Sequence, residues 1–200
     1  MHRRFLIMGA PALLAACSSR WSTNFDTQLT PDVTRSWRLN TVQVTVPAEL
    51  TVSEANRLAP NADIVWHGEP RGNRRKQVAS IVEDGITSGA SALQGSQDVT
   101  FAVTLQEFHA VTPAAVNTAP GAVHNIAFTI QGFDSETVAP VTEPEFIKAD
   151  LPAFTGAAAV VAAQEGQTQK VRITNHLARV TQSWLGIGED VRGDFSGFGR

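Results

Sequence analysis

Three segments of this 200-residue chain alternate apolar and polar residues with a period of two. They cover residues 42–46, 99–105 and 126–130. Successive side chains of a strand point to opposite faces, so each segment predicts a strand with one buried and one solvated face. Strands of this kind typically form antiparallel sheets that pack one face on the core. We therefore expect a sheet that is covered on one side.

Two segments have the helical period instead. Residues 73–93 carry apolar side chains at steps of three and four, with Asn73 as a candidate N-cap. Gly85 and Gly89 fall on the same face, where the lack of a side chain would let the helix approach the sheet closely. The second helix is predicted near the C-terminus from the spacing of four apolar residues: Ile173, Leu177, Val180 and Trp184.

The intervening segments complete the predicted topology. We expect a short helix over residues 54–58, a buried strand over residues 62–68, a loop over residues 112–121 and an edge strand over residues 138–147. Pro140 and Pro144 favour the edge position because proline cannot donate to a strand ladder. The resulting order, β-α-β-α-β-β-β-α, predicts an α+β fold with two layers, in which helices cover one face of a mostly antiparallel sheet.

Composition narrows the class of protein. The chain is 42% apolar and 18% charged, with a formal charge of −3, which is typical of a globular domain and not of a nucleic-acid-binding one. A single cysteine excludes an internal disulfide and any metal site built from several cysteines.

The N-terminal segment is a targeting signal. Arg3 and Arg4 precede an uncharged run over residues 5–16, which is too short to cross a bilayer but suits a secretory signal. The run ends in Leu14-Ala15-Ala16-Cys17. This sequence resembles the lipobox of bacterial lipoproteins. The resemblance implies cleavage before Cys17, a diacylglycerol thioether on its sulfur and an N-acyl chain, with no other cofactor. In that class, Ser18 in place of an aspartate implies the inner leaflet of the outer membrane.

These features predict four regions. Residues 1–16 form a signal peptide, residues 17–35 a lipid anchor with a flexible tether, residues 36–188 one periplasmic α+β domain, and residues 189–200 a flexible tail. The segment VWHGEPRGNRRKQV, with the lipobox, is similar to a family of small alphaproteobacterial envelope lipoproteins. That resemblance implies a location and a fold, and no mechanism.

Four cations precede or open the long helix: Arg71, Arg74, Arg75 and Lys76. Cations at a helix N-terminus oppose the macrodipole. An anion or an acidic partner could compensate them, as could Glu69 and neighbouring acids, or the side chains could simply extend into water. Trp66, in the strand before them, is either a core residue or part of a recognition surface.

No catalytic motif stands out. His109 and His124 could face each other across a hairpin, but the chain has no metal-binding spacing, and we expect no metal site. No serine lies in a nucleophile elbow.

We therefore expect a non-enzymatic adaptor or assembly factor of an envelope complex. Its partners would be the bilayer and an envelope protein or anionic envelope component, without nucleic acid. The alternatives are a cell-wall hydrolase or modifying enzyme, and a small-ligand-binding domain.

Overall fold

The alternating segments form the long strands of an open sheet in the computed structural model, which describes residues 21–195. No helix in this range is both long and apolar enough to cross a bilayer. The strands are β1 (Trp21–Asn24), β2 (Trp37–Thr45), β3 (Val52–Ser53), β4 (Ile64–Val65), β5 (Gln97–His109), β6 (Ala122–Asp134), β7 (Glu145–Ala149), β8 (Leu151–Ala153) and β9 (Gly193–Phe195). The helices are α1 (Pro31–Thr34), α2 (Arg74–Ala90), α3 (Pro113–Thr118), α4 (Gly156–Gln164) and α5 (Gln169–Trp184).

The sheet is built outward from the antiparallel pair β5 and β6, which runs from Val99↔Asp134 to His109↔Asn125. Its order is β3-β4-β5-β6-β7-β1-β9, with β2 alongside β5 and β8 alongside β6. Among the described strands, five pairings are antiparallel and three are parallel. The α+β prediction with a mostly antiparallel sheet is confirmed.

Alternation decides which face of the sheet is covered. Val99, Phe101 and Val103 of β5 are buried under the helices, whereas Thr104 and Gln106 are exposed. The ring of Trp184 in α5 meets Phe101 edge-on, with 5.6 Å between ring centroids. Such edge-to-face contacts stabilise aromatic pairs beyond their burial. The large helices therefore share one core with the inner face of the sheet.

The two glycines of α2 contact α5, and not the sheet as we expected. A Cβ built on Gly85 would lie 2.6 Å from Cβ of Leu177, and one built on Gly89 would lie 2.5 Å from the carbonyl oxygen of Ala178. Both distances are far below van der Waals contact. Gly85 and Gly89 are thus required for the close approach of two helices.

The predicted tether over residues 17–35 is partly folded, which corrects the domain boundary. β1 pairs with β7, and Phe25, just after β1, is 2% exposed. A strand of four residues has too little alternation to be recognised. Since β7 is paired on both sides, by β6 and by β1, the edge-strand prediction is wrong.

The predicted C-terminal tail also contributes to the sheet. β9 pairs with β1, with Trp21 opposite Phe195. This strand lies inside the range 189–200 that we expected to be flexible. Residues 1–20, which include the predicted signal peptide and Cys17, and residues 196–200 of the predicted tail lie outside the described residues.

The predictions for two short segments, a helix over residues 54–58 and a loop over residues 112–121, also change. Residues 54–58 are not helical, because their side chains are engaged elsewhere: the Asn56 side chain accepts a hydrogen bond from the Ala114 amide, and Glu54 binds Arg74. The predicted loop over residues 112–121 contains α3, in which Thr112 caps the Ala115 amide and Pro113 occupies the first turn.

Replacement of Gly89 by alanine tests the contact between α2 and α5. At an exposed position of a helix, replacement of glycine by alanine stabilises the helix by about 1 kcal/mol. Here the methyl group meets the backbone of α5, so we expect Gly89→Ala to destabilise the domain by about 1–3 kcal/mol in urea unfolding. The matched control is Ser88→Ala on the exposed side of the same helix, which should leave stability unchanged or slightly raised. Stabilisation by Gly89→Ala would contradict the helix contact.

Candidate functional site

The cation cluster opens α2, and its central member is buried. Arg74 is 5% exposed, and its guanidinium forms two hydrogen bonds to the Glu54 carboxylate, at 2.6 Å and 3.1 Å. It also donates to the Glu69 and Pro70 carbonyl oxygens and to the Gln77 side chain. All of its donor groups point into the protein. Arg74 therefore organises the loop before α2 and is not presented to an external anion.

The Arg74 ion pair also explains how a cation is tolerated in the first turn of a helix. The helix macrodipole disfavours positive charge at this end, and the Glu54 carboxylate offsets it. The hydrogen bond from Arg74 is the main cause that lowers the pKa of Glu54. The same hydrogen bond raises the pKa of Arg74. Asn73 caps the helix as predicted, by accepting from the Lys76 amide.

Of the other three cations, only Arg71 approaches the Glu54 carboxylate that binds Arg74. The Arg75 guanidinium donates to the carbonyl oxygens of Ala48, at 2.9 Å, and of Leu50. The Arg71 side chain is 85% exposed and lies 3.8 Å from Glu54, and Lys76 is exposed. Of the three interpretations given above for these cations, compensation by a nearby acid describes Arg74. Arg71 and Lys76 are the cations that face solvent.

Glu69, which precedes the cluster, links three elements. Its carboxylate accepts from the Trp66 indole at 2.8 Å and from Lys170 at 2.9 Å. Burial alone would raise the pKa of Glu69, but hydrogen bonds from Lys170 and Trp66 outweigh it, so that this pKa lies below its usual value. The contact joins the N-terminal end of α2 to that of α5. Trp66 itself is fully buried, so it is a core residue.

The histidines do not come together. His109 pairs with Asn125 across the ladder, so the neighbouring His124 points to the opposite face of the sheet. His124 is fully buried, and burial lowers its pKa to about 3. Within residues 21–195, no group of three or more histidine, cysteine or acidic side chains could hold a metal ion.

A cleft of about 490 Å³ lies between β1, β8, β9 and α5. His176 lines it and contacts the Thr23 hydroxyl at 3.2 Å, and burial lowers the pKa of His176 to about 4. Asp150 also lines it, but its carboxylate accepts from the Ser22 amide, Asn125 and Lys148. The carboxylate therefore does not orient the imidazole in the way that a catalytic triad requires.

Sequence reasoning missed Thr23 and Asp150 as cleft residues. Thr23 lies in the segment that we predicted as a tether, Asp150 lies beyond the predicted edge strand over residues 138–147, and neither belongs to a motif. The two residues come together through the pairing of β1 with β7, which joins positions more than 120 residues apart in sequence, as in the hydrogen bond from Thr23 to the Asp150 carbonyl oxygen. No local pattern in the sequence indicates this pairing.

A second cleft, of about 340 Å³ and mostly apolar, lies at the end of the sheet where β5 ends and β6 begins. Trp21, Leu58, His109 and Ala115 line it, together with residues 118–123. Val111 and Ala115, which also line this cleft, form with Ala153 a small apolar cluster that is separate from the main core. This cleft offers apolar contact area and few polar groups.

Solved structures similar to this chain include three proteins with low sequence identity. A candidate lipoprotein of Caulobacter crescentus CB15 is 12% identical, with a TM-score of 0.37 over 78% of this chain and 90% of that one. Protein XCC0632 of Xanthomonas campestris, assigned to the family DUF330, is 15% identical, with a TM-score of 0.41 over 79% of this chain and 89% of that one. The PelC dodecamer of Paraburkholderia phytofirmans is 11% identical, with a TM-score of 0.31 over 78% of this chain and 95% of that one.

No curated protein sequence matches the chain. A family model described as "Family of unknown function (DUF6778)" matches residues 37–200, which is most of the sequence. The chain belongs to this family.

Loss of the Glu54 carboxylate tests the structural role of Arg74. Glu54→Gln leaves a buried guanidinium without its counter-charge, so we expect a loss of about 1–3 kcal/mol of unfolding free energy at pH 7. Arg71→Gln is the matched control and should change stability by less than about 0.5 kcal/mol, since its side chain is solvated.

The loss of unfolding free energy caused by Glu54→Gln should depend on pH. The folded-state pKa of Glu54 is lowered, so the ion pair stabilises the fold fully above the unfolded pKa of about 4.3, and this stabilisation is lost as pH falls through the folded-state pKa. The difference between wild type and Glu54→Gln should therefore shrink in acid. A difference that stays constant from pH 7 to pH 3 would contradict the ion pair.

Proposed function

We propose that this protein is a bacterial envelope lipoprotein, anchored by lipid on Cys17, whose α+β domain serves as a non-enzymatic adaptor or auxiliary factor of an envelope complex. The domain faces the periplasm. Ser18 favours the inner leaflet of the outer membrane, through the resemblance of the signal to bacterial lipoproteins.

The position of the single cysteine carries the proposal. Cys17 directly follows the short apolar run, at the one place where the lipobox requires a cysteine. A free thiol is unusual in the oxidising periplasm, whereas a thioether is stable there. One acyl chain binds a membrane only marginally, and further chains make the attachment stable because each buried methylene adds about 0.8 kcal/mol.

An adaptor role is supported by how the polar side chains are used. Arg74, Glu54 and Glu69 stabilise the helix ends, and the Asp150 carboxylate is held by three donors. These groups are engaged in holding the fold together. What remains available to a partner is the exposed surface, including Arg71 and Lys76.

Replacement of Cys17 by serine tests the anchor. We expect the wild-type chain, expressed with a C-terminal tag in a Gram-negative host, to partition entirely with membranes that resist high salt. Cys17→Ser should move the protein to the soluble fraction, or leave it as an uncleaved precursor of higher mass. Ser19→Ala, two residues away, is the matched control and should fractionate like wild type. Membrane attachment and normal processing of Cys17→Ser would refute the proposal.

A further inference from the structure

Helix α4 has an unusual surface. Its nine residues, Gly156–Gln164, include no charged side chain, and only Ala162 is buried. Val160 is 57% exposed and Val161 is 52% exposed. A helix that is apolar on all sides is normally buried in a core or in a membrane. Here the outer side of α4 is exposed, so the helix presents an apolar surface that the described residues do not cover.

More apolar surface lies next to α4. The helix contacts α3, whose residue Ala115 belongs to the small apolar cluster with Val111 and Ala153. Leu58, which is 62% exposed, lines the same cleft as Ala115. Val171, in the first turn of α5, is 37% exposed. We call the surface formed by α3, α4, Leu58 and the first turn of α5 the anchor-proximal end.

The chain connects this end to Cys17 over a short distance. Trp21 opens β1 and lines the cleft that contains Ala115 and Leu58. Only four residue steps separate Cys17 from Trp21, and a fully extended chain covers about 3.3–3.6 Å per residue. Trp21 is therefore within about 14 Å of Cys17. An acylated Cys17 would hold this end of the domain near the membrane.

The charges at this end favour an acidic lipid surface. The ion pair of Glu69 and Lys170 places the start of α2 beside the start of α5, so the exposed Arg71 and Lys76 belong to the same end of the molecule. Basic side chains at the same end as exposed apolar residues suit the boundary between headgroups and acyl chains. Tryptophan, as at position 21, is enriched at the same depth.

We propose that the anchor-proximal end rests on the bilayer, with Val160 and Val161 of α4 at the level of the lipid headgroups and acyl-chain boundary. The domain then stands on this end, with the N-termini of α2 and α5 toward the membrane and their C-terminal ends away from it. This proposal depends on acylation of Cys17, and its occupant is the lipid surface.

The test uses the acylated full chain, in which Cys17 has no free thiol. Val160→Cys and Val33→Cys each introduce one labelling site for an environment-sensitive dye. Val33, 44% exposed in α1, is the matched control, since α1 packs on the C-terminal end of α5 through the Thr34–Leu185 hydrogen bond. Both labelled proteins are reconstituted into phosphatidylcholine–phosphatidylglycerol vesicles with or without spin-labelled lipids that quench the dye.

We expect a blue shift and loss of emission by quenching for the label at position 160, and no shift or quenching at position 33. Equal solvent exposure of both labels, in protein that floats with the vesicles, would overturn the membrane contact while leaving the anchor intact. Failure to float with vesicles would instead refute the acylation, and with it this proposal. A blue shift at position 160 in the soluble Cys17→Ser chain without vesicles would indicate a second copy as the occupant, and would also overturn the proposal.

Discussion

The close packing of α2 on α5 is the contact on which the rest of the structure depends. Gly85 and Gly89 remove the side chains that would hold the helices apart, so that Leu177 and Ala178 of α5 can approach the α2 backbone. Two helices at this distance form one continuous cover for the inner face of β5 and β6. Trp184 then reaches Phe101, and the core closes. Larger side chains at either glycine would separate the helices and expose that face.

The same packing brings the two helix N-termini side by side, and a polar network fixes them there. Glu54 neutralises Arg74, while Glu69 joins the Trp66 indole to Lys170. Buried charges of this kind are costly unless every donor and acceptor is satisfied, and Arg74 is satisfied by five acceptor atoms. The cation cluster that looked like a ligand site in the sequence is thus in large part a structural device. The side chains of Arg71 and Lys76 remain at the surface.

The sequence predicts the parts of the fold whose signal is local. The strands β5 and β6 and the helices α2 and α5 follow from periodicity, and the cap at Asn73 from a single residue type. β1 and β9 could not be predicted, because three or four residues carry no usable period and their pairing partners are distant in sequence. The helix expected over residues 54–58 failed because Glu54 and Asn56 bind residues elsewhere, which outweighs a weak local propensity. In the candidate site, the sequence indicates the four cations but does not single out Glu54, the acid that binds Arg74.

The early start of β1 changes the relation of the domain to the membrane. With a tether of many residues, the domain could sample many orientations. With four steps between Cys17 and Trp21, acylation of Cys17, as we propose it, would hold the sheet close to the membrane. The most direct measurement is the intact mass of the mature protein extracted from membranes. We expect a chain that begins at Cys17 and carries the mass of a diacylglyceryl group and an N-acyl chain. A mature chain that begins at any other residue, or an unmodified Cys17, would contradict the account.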